Sequence, residues 1–426
     1  MSLGTRLQEI RTGFAPAFWV ANGTELFERL AYYGLQAVLA IYLHERLRFS
    51  EEQTGLLQGV FGFVVWFLPI FGGALADRFG YRRILSLAYL VLSVGYFLFG
   101  SITAGWLAPV RAALPLYWVV FAILMIPALG PGLVKPVVAG TTARASSEAM
   151  RSLGFSIYYT IVNIGGALGP LLGSKVRTTF GVESVCYMSA GFAFAMFLVS
   201  VFVFRELPVP ADHQVVTVGA AVRNMGRVLT NLRAVVFLLL FSGFYVVFWQ
   251  VYIALPLYVR GYVNAQSPID ALISIEGTGV IAFTVLVAWL TRRLKPITTM
   301  ASGVLITALS WLLLTVSSST PFIAATLVGI AIGELTQAPR YYEYVSKLAP
   351  KGQEGTYIGF AFLPIAIGYL IGGPLGGTLV RHYGATARPA AMWYPVALIG
   401  VGTAALLWLY DRIVKPGRQA AEGGLR

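Results

Sequence analysis

The sequence predicts an all-α polytopic membrane protein with about twelve membrane-spanning helices in two bundles of six. Three observations carry that prediction. Of the 426 residues, 57% are hydrophobic and 12% charged, against the roughly half-apolar, quarter-charged make-up of a soluble domain, and the mean hydropathy is +0.74. The apolar residues fall into runs of about 20, long enough at roughly 1.5 Å per residue to cross the hydrocarbon of a bilayer. The formal net charge of +13 sits mostly in short connections, without a basic, aromatic-interleaved run. It therefore reads as positive-inside topology and not as a nucleic-acid surface.

Taken in order, the spans are expected near 14–43, 53–76, 83–102, 114–139, 151–174, 183–205, 233–259, 269–291, 297–316, 320–346, 354–380 and 389–411. No short apolar core with a small-residue cleavage site precedes the first, which is expected to direct insertion itself. Charge bias in the connections places both termini in the cytoplasm and the chain in the plasma membrane, the inner membrane if the source is Gram-negative. The longest connection, 206–232, carries Pro208, Pro210, Asp212, Arg223 and Arg227 and divides 1–205 from 233–426. GGALGPLLG at 165–173 is echoed by IGGPLGG at 371–377, as equivalent helices of two parallel repeats would be. Between the second and third spans, GGALADRFGYRR at 72–83 combines close-packing glycines with Asp77, a candidate cap or ion-pair partner, and with Arg78, Arg82 and Arg83.

The first span contains ELFERLAYYG, residues 25–34. At about 100° per residue Glu25 and Arg29 lie about 40° apart, and Glu28, Tyr32, Tyr33 and Gln36 fall in the same broad stripe. An ionised residue at mid-bilayer costs on the order of 2.5–3.5 kcal/mol, so this stripe must face protein or water. Lys135 in the fourth span, Glu276 in the eighth, and Glu334 and Arg340 in the tenth add further charge. Glu25, Glu28, Glu276 and Glu334 against Arg29, Lys135 and Arg340 leave one carboxyl in excess. That invites one proton, and with it proton-coupled transport. His44, His213 and His382 are scattered over connections and Cys186 stands alone. No metal site, redox pair or nucleophile cluster is expected, which excludes an enzyme, and no cofactor is expected beyond protons as coupling ion.

The 72–83 loop closely resembles the loop joining the second and third helices of the major facilitator superfamily, where it gates conformation. The resemblance implies a gating role for Asp77, Arg78 and Arg82. Four separated stretches resemble the proton-coupled oligopeptide transporters of that superfamily. ELFERLAYYG is similar to E-x-x-E-R-F-x-Y-Y-G, GPGLVKP to G-x-G-x-x-K-P, and FSIYYTIVNIGGALGP at 155–170 to the fifth-helix signature. GEL at 333–335, followed by KLAP at 347–350, is similar to the tenth-helix pattern. The resemblance implies symport of di- or tripeptides, or peptide-like molecules, by a monomer in the lipid bilayer. Glu25, Glu28, Arg29, Lys135 and Glu276 are then expected in proton coupling. Arg29, Tyr32, Tyr33, Gln36, Lys135, Tyr159, Asn163, Trp249, Gln250 and Glu334 are expected at the substrate, with its amino end at Glu334 and Asn163 and its carboxylate at Arg29 and Lys135.

Four departures stand beside these matches. Gln36 occupies the place of a second arginine, and Phe248 and Trp249 stand where the family has a seventh-helix acid. APRYYEYV adds Arg340, Tyr341 and Tyr342 to the tenth helix, and the extra helices of bacterial members are absent. GGALGPLLG also resembles the fifth-helix motif of proton-coupled drug and metabolite antiporters, which is the alternative function.

Overall fold

A computed structural model describes residues 13–207, 228–350 and 354–414, with the single positions 219, 223 and 226. Most of the expected linker therefore lies outside the described residues. Among the described residues, twelve membrane-length helical segments follow one another. They are α1 (Pro16–Ile41), α2 (Glu51–Phe67 and Pro69–Phe79), α3 (Tyr81–Gly100), α4 (Leu116–Arg144), α5 (Arg151–Phe180) and α6 (Glu183–Phe202), then α7 (Leu232–Phe248, with short turns beyond it), α8 (Ser274–Thr291), α9 (Pro296–Trp311), α10 (Thr320–Leu348), α11 (Leu363–Gly384, preceded by Glu354–Phe360) and α12 (Trp393–Val414). Ten are apolar enough to span alone, and the two parts of α2 make an eleventh. In α1, every stretch of 18 residues includes Glu25, Glu28 and Arg29.

Three spans expected as single runs are broken, each beside a proline. α2 bends by 44° at Leu68, ahead of Pro69, because a proline ring clashes with the preceding turn and supplies no N–H to it. α7 gives way to a 3-10 turn at Trp249–Val251 and resumes over Ala254–Tyr258, which contains Pro256. The eleventh span is interrupted at Ala361 and Phe362 before Pro364, where the Tyr341 hydroxyl donates to the Ala361 carbonyl at 2.7 Å.

The helices form two sets. In the first, α1 packs on α5 and α6, α3 on α4 and α6, and α2 on α4; in the second, α7 packs on α11 and α12, α9 on α10 and α12, and α8 on α10. Lipid is as apolar as the helices themselves, so close approach at small residues and polar contacts must hold them together. Both glycine-rich helices serve this purpose on two faces. On α5, a Cβ at Gly169 would lie 3.0 Å from the Gly34 nitrogen of α1, and one at Gly277 of α8 would lie 2.8 Å from the Gly166 carbonyl carbon. On α11, a Cβ at Gly368 would meet Tyr245 of α7 at 2.3 Å, and one at Gly373 would meet the Gly55 carbonyl of α2 at 2.3 Å. The repeat seen in the sequence is thus a repeat of packing, with α5–α8 and α2–α11 as the seams between the sets.

Three arginine–carboxylate pairs join the sets on the face opposite the described chain ends. Arg177 grips Asp270 with two bonds of 2.6 and 3.1 Å, Arg260 donates to Glu45 at 2.8 Å, and Arg381 pairs with Glu52. That distal face is closed.

On the terminal face, the loop at 72–83 is tied to its own half. Asp77 pairs with Arg144 at 3.1 Å, whose guanidinium also lies 4.4 Å from the Tyr81 ring centroid. The cap on α3 comes from elsewhere than the sequence suggests: Glu206 accepts from the Tyr81 and Arg82 amides at 2.6 and 2.9 Å. Arg82 reaches the Val201 carbonyl, and Arg78 lies 5.1 Å from the Phe79 ring centroid. Gly80 makes the turn at φ 90°, where a side chain is strained. Gly80→Ala is expected to destabilise the protein by about 1–3 kcal/mol, measured as a lower melting midpoint in detergent. Gly73→Ala is the comparison, since its Cβ would meet only Pro136, at 3.9 Å.

Candidate functional site

Between the two sets lies a cavity of about 790 Å³. Its lining continues along the terminal-face ends of α5, α10 and α11 through Phe155, Tyr342 and Ile358, while the distal side is shut by the ion pairs and the α2–α11 seam. Seven of the expected residues line it: Tyr33, Lys135, Tyr159, Asn163, Trp249, Glu276 and Glu334. They come from α1, α4, α5, α7, α8 and α10. Chain stretches over 300 residues apart therefore converge on one space.

Glu25, Glu28 and Arg29 do not line this cavity; they are packed behind it, with relative exposures of 0, 2 and 0%. Arg29 bonds Glu28 at 2.5 Å and lies 3.3 Å from Glu25, and its guanidinium sits 5.1 Å from the Tyr32 ring centroid. A Cβ at Gly165 would come within 2.3 Å of the Arg29 Cβ. Only glycine lets α5 cover the charged turn so closely.

Tyr32 and Gln36, expected at the substrate, instead close the gap between α1 and α11. Gln36 Nε2 donates to the Tyr369 hydroxyl at 2.7 Å and to that of Tyr32 at 3.1 Å. Gln250 is likewise used internally, its Nε2 donating to the Val246 and Gly372 carbonyls at 2.7 and 3.0 Å. Neither glutamine lines the cavity. Asn163 and Tyr159 share one wall, with Asn163 Nδ2 donating to the Tyr159 carbonyl at 2.8 Å.

Lys135 is 8% exposed, and no carboxylate among the described residues lies within ion-pair distance of it. Its ammonium rests 4.1 Å from the Trp66 ring centroid, a contact worth about 0.5–2 kcal/mol when desolvated. Trp66 continues into an aromatic wall, with Trp249 at 6.1 Å and Phe362 at 5.9 Å. Trp249 in turn stacks on Tyr369 at 4.1 Å. The break in α7 turns Trp249 and Tyr252 into this space, where an unbroken helix would present a different face.

Opposite Lys135 in charge are Glu276 and Glu334, which line the same cavity from α8 and α10. Arg340 does not join them. It pairs with Glu343 at 2.8 Å and donates to the Arg292 carbonyl at 3.3 Å, and Glu343 also accepts from Lys347 at 2.6 Å. This corrects the count of three cations made from the sequence. Four carboxyls, Glu25, Glu28, Glu276 and Glu334, face two cations, Arg29 and Lys135. Trp66 and Tyr369 are among the residues that sequence reasoning missed, as are Tyr245 and Tyr252 of the cavity lining. Trp66 is one more aromatic in an apolar run, and Tyr369 is set among glycines that draw attention to the backbone.

The sequence model of the Major Facilitator Superfamily matches residues 24–363 and, in an overlapping match, 264–425. A multidrug resistance protein, MdtH of Klebsiella pneumoniae subsp. pneumoniae, is 27% identical over 383 residues, covering 89% of this chain and 90% of that protein. Among solved structures, a POT family transporter in complex with 5-aminolevulinic acid superposes with a TM-score of 0.74 at 16% identity, covering 94% of this chain and 96% of that one. The nucleoside transporter NupG superposes with a TM-score of 0.76 at 14% identity, covering 92% and 99%.

Proposed function

Since the chain belongs to the major facilitator superfamily, we propose that it is a secondary active transporter that takes up short peptides or peptide-like zwitterions together with protons by alternating access. The carrying observation is that one cavity holds Glu276 and Glu334 on one wall and Lys135 on another, with an aromatic surface as part of the lining. An ammonium group is matched by Glu334 and Asn163, and a carboxylate by Lys135, with the Arg29 cluster behind it. Tyr33, Tyr159 and Trp249 supply the apolar contact. In this reading the terminal face is cytoplasmic, the cavity opens to the cytoplasm, and the chain works as a monomer in the plasma membrane. Asp77, Arg78 and Arg82 then belong to the gate on that side. Glu25, Glu28, Arg29, Lys135 and Glu276 form the titrating set, with Glu28 free to protonate when a substrate carboxylate draws Lys135 away. The aminolevulinic acid complex of a structural neighbour fits a substrate carrying an amine and a carboxylate.

The aromatic lining and the multidrug relatives favour a second reading, proton-coupled antiport of lipophilic cations. Binding to the purified protein separates the two. Dialanine and trialanine are expected to raise the melting midpoint and to compete with one another. If lipophilic cations do so and the peptides do not, the antiport reading wins. Lys135→Ala is expected to weaken binding of dialanine at least about tenfold, or about 1.4 kcal/mol, and to leave dialanine amide unchanged. In liposomes, accumulation is expected to follow an imposed proton gradient; substrate flux that ignores the gradient would remove protons from the mechanism.

A further inference from the structure

The two sets repeat each other's packing, but their distal ends differ at one corner. α1 and the seventh span both finish in a five-residue π-helical turn, Tyr42–Arg46 and Val259–Val263, so Arg46 and Val263 hold the same position. In the first set this corner carries its own acid. Glu183, which opens α6, accepts from Arg46 at 2.5 Å and from Thr103 of the α3–α4 connection at 3.2 Å. In the second set the corresponding corner is a pocket of about 540 Å³, formed by Tyr258, Tyr262, Thr315, Ser318, Arg388 and Tyr394. Val263 lies on its wall in the place of Arg46, and the connection leading into α12 brings Arg388 where the one leading into α6 brings Glu183. No carboxylate lines this pocket. Among the described residues the Arg388 guanidinium makes no ion pair. The floor is fixed: the Tyr258 and Ser318 hydroxyls lie 2.6 Å apart, and the Tyr258 ring meets Trp393 edge-on at 5.3 Å, itself stacked on Trp311 at 4.4 Å. A guanidinium and hydroxyl donors thus converge at a corner whose counterpart contains an acid.

We propose that this pocket binds the phosphate of an anionic phospholipid, whose acyl chains lie along α12. A phosphodiester carries one negative charge and several acceptor oxygens, which suits one guanidinium beside hydroxyl groups. Position favours a lipid over a soluble ester. The pocket is at the distal end of the spans, where tyrosines sit at headgroup level, and a basic pocket between spans is a form of headgroup site. Tyr394 on its rim is followed four and seven residues later by Leu398 and Val401, all exposed, which places the three in one stripe of α12. Val316, next to Thr315, is exposed beside the same pocket. A free phosphate ester would fill the pocket and leave that stripe without a role. Tyr258 and Tyr262 flank Arg260, which pairs with Glu45 across the two sets. A bound headgroup therefore steadies one of the contacts closing the distal face, and its binding registers as thermal stability. None of this depends on what the central cavity carries.

The test uses the full-length protein in detergent, titrated with phosphatidylglycerol, with phosphatidylcholine of the same acyl chains, and with glycerol 3-phosphate. Phosphatidylglycerol is expected to raise the melting midpoint at concentrations at least about tenfold below those at which phosphatidylcholine does so, and glycerol 3-phosphate to leave it unchanged. Arg388→Gln is expected to melt like wild type without lipid, since its side chain is exposed and unpaired, and to need at least about tenfold more phosphatidylglycerol for the same rise. Arg412→Gln, at the opposite end of α12, should respond like wild type. An equal response of Arg388→Gln and wild type overturns the proposal, as does an equal loss in Arg412→Gln, which would mean attraction to net charge alone. Phosphatidylcholine matching phosphatidylglycerol overturns the part played by the anion, and glycerol 3-phosphate matching it overturns the lipid in favour of a soluble ester. Native mass spectrometry supplies a readout that does not depend on melting. One phosphatidylglycerol is expected to stay on wild type after removal of detergent and to be lost from Arg388→Gln; equal retention by the two overturns the site.

Discussion

Arg29→Leu is expected to destabilise the folded protein by about 3–5 kcal/mol, enough to remove most of it from a monodisperse detergent preparation. The magnitude follows from what the substitution leaves behind. Glu25 and Glu28 are 0 and 2% exposed, and Arg29 is the base in direct contact with both. Without it, two buried carboxylates remain in a space that α5 covers closely at Gly165. The value of the ion pairs themselves is a separate matter. A buried pair replaced entirely by neutral groups is often tolerated, whereas removal of one partner is not. The triple variant Glu25→Gln, Glu28→Gln, Arg29→Leu is therefore expected to recover most of the melting midpoint lost by Arg29→Leu alone, yet to transport nothing. Equal melting midpoints for Arg29→Leu and wild type would show that the three residues do not form a mutually dependent cluster.

That cluster was legible in the sequence because charge in an apolar run has few physical homes. ELFERLAYYG had to face away from lipid, and a four-residue spacing placed its acid and base together. The same reasoning located Lys135, Glu276 and Glu334 on one cavity. It went astray with Arg340, since a charge near the end of a span can turn to the cavity or to a local partner, and Glu343, three residues on, offers the nearer one. Helix breaks were harder to read. FYVVFWQ looks the same whether the helix runs through it or turns at Trp249, and that turn decides which aromatic rings meet the cavity. The contact of Gln36 with Tyr369 spans 333 positions, and nothing local to either residue announces it. Glycine spacing showed that α5 and α11 approach other helices closely. Which helices they approach, and that each serves two, emerges only from the packed structure.

The second large effect is expected from Gly373→Leu, which should move the protein toward the state open on its distal face. A Cβ at this position would lie 2.3 Å from the Gly55 carbonyl oxygen and 2.5 Å from the Gly59 Cα. These are backbone atoms of α2, unable to swing aside, so the helices themselves must part. The α2–α11 seam lies toward the distal face, beside the Glu52–Arg381 pair. A wedge there strains the closed arrangement and not one in which the seam has already opened. Overpacking of this kind costs about 1–3 kcal/mol, and a bias of that size changes a two-state population by roughly 5- to 150-fold. A single cysteine at Asn163, with Cys186→Ser, reports the change through a membrane-impermeant maleimide applied to sided vesicles. Labelling from the distal side is expected to rise at least about fivefold and labelling from the terminal side to fall. Gly191→Leu provides the comparison, since a Cβ there meets nothing within 4 Å, and should leave both rates unchanged. If Gly373→Leu lowers the melting midpoint without altering sidedness, the seam is a static packing contact and the rocking of the two sets must pivot elsewhere.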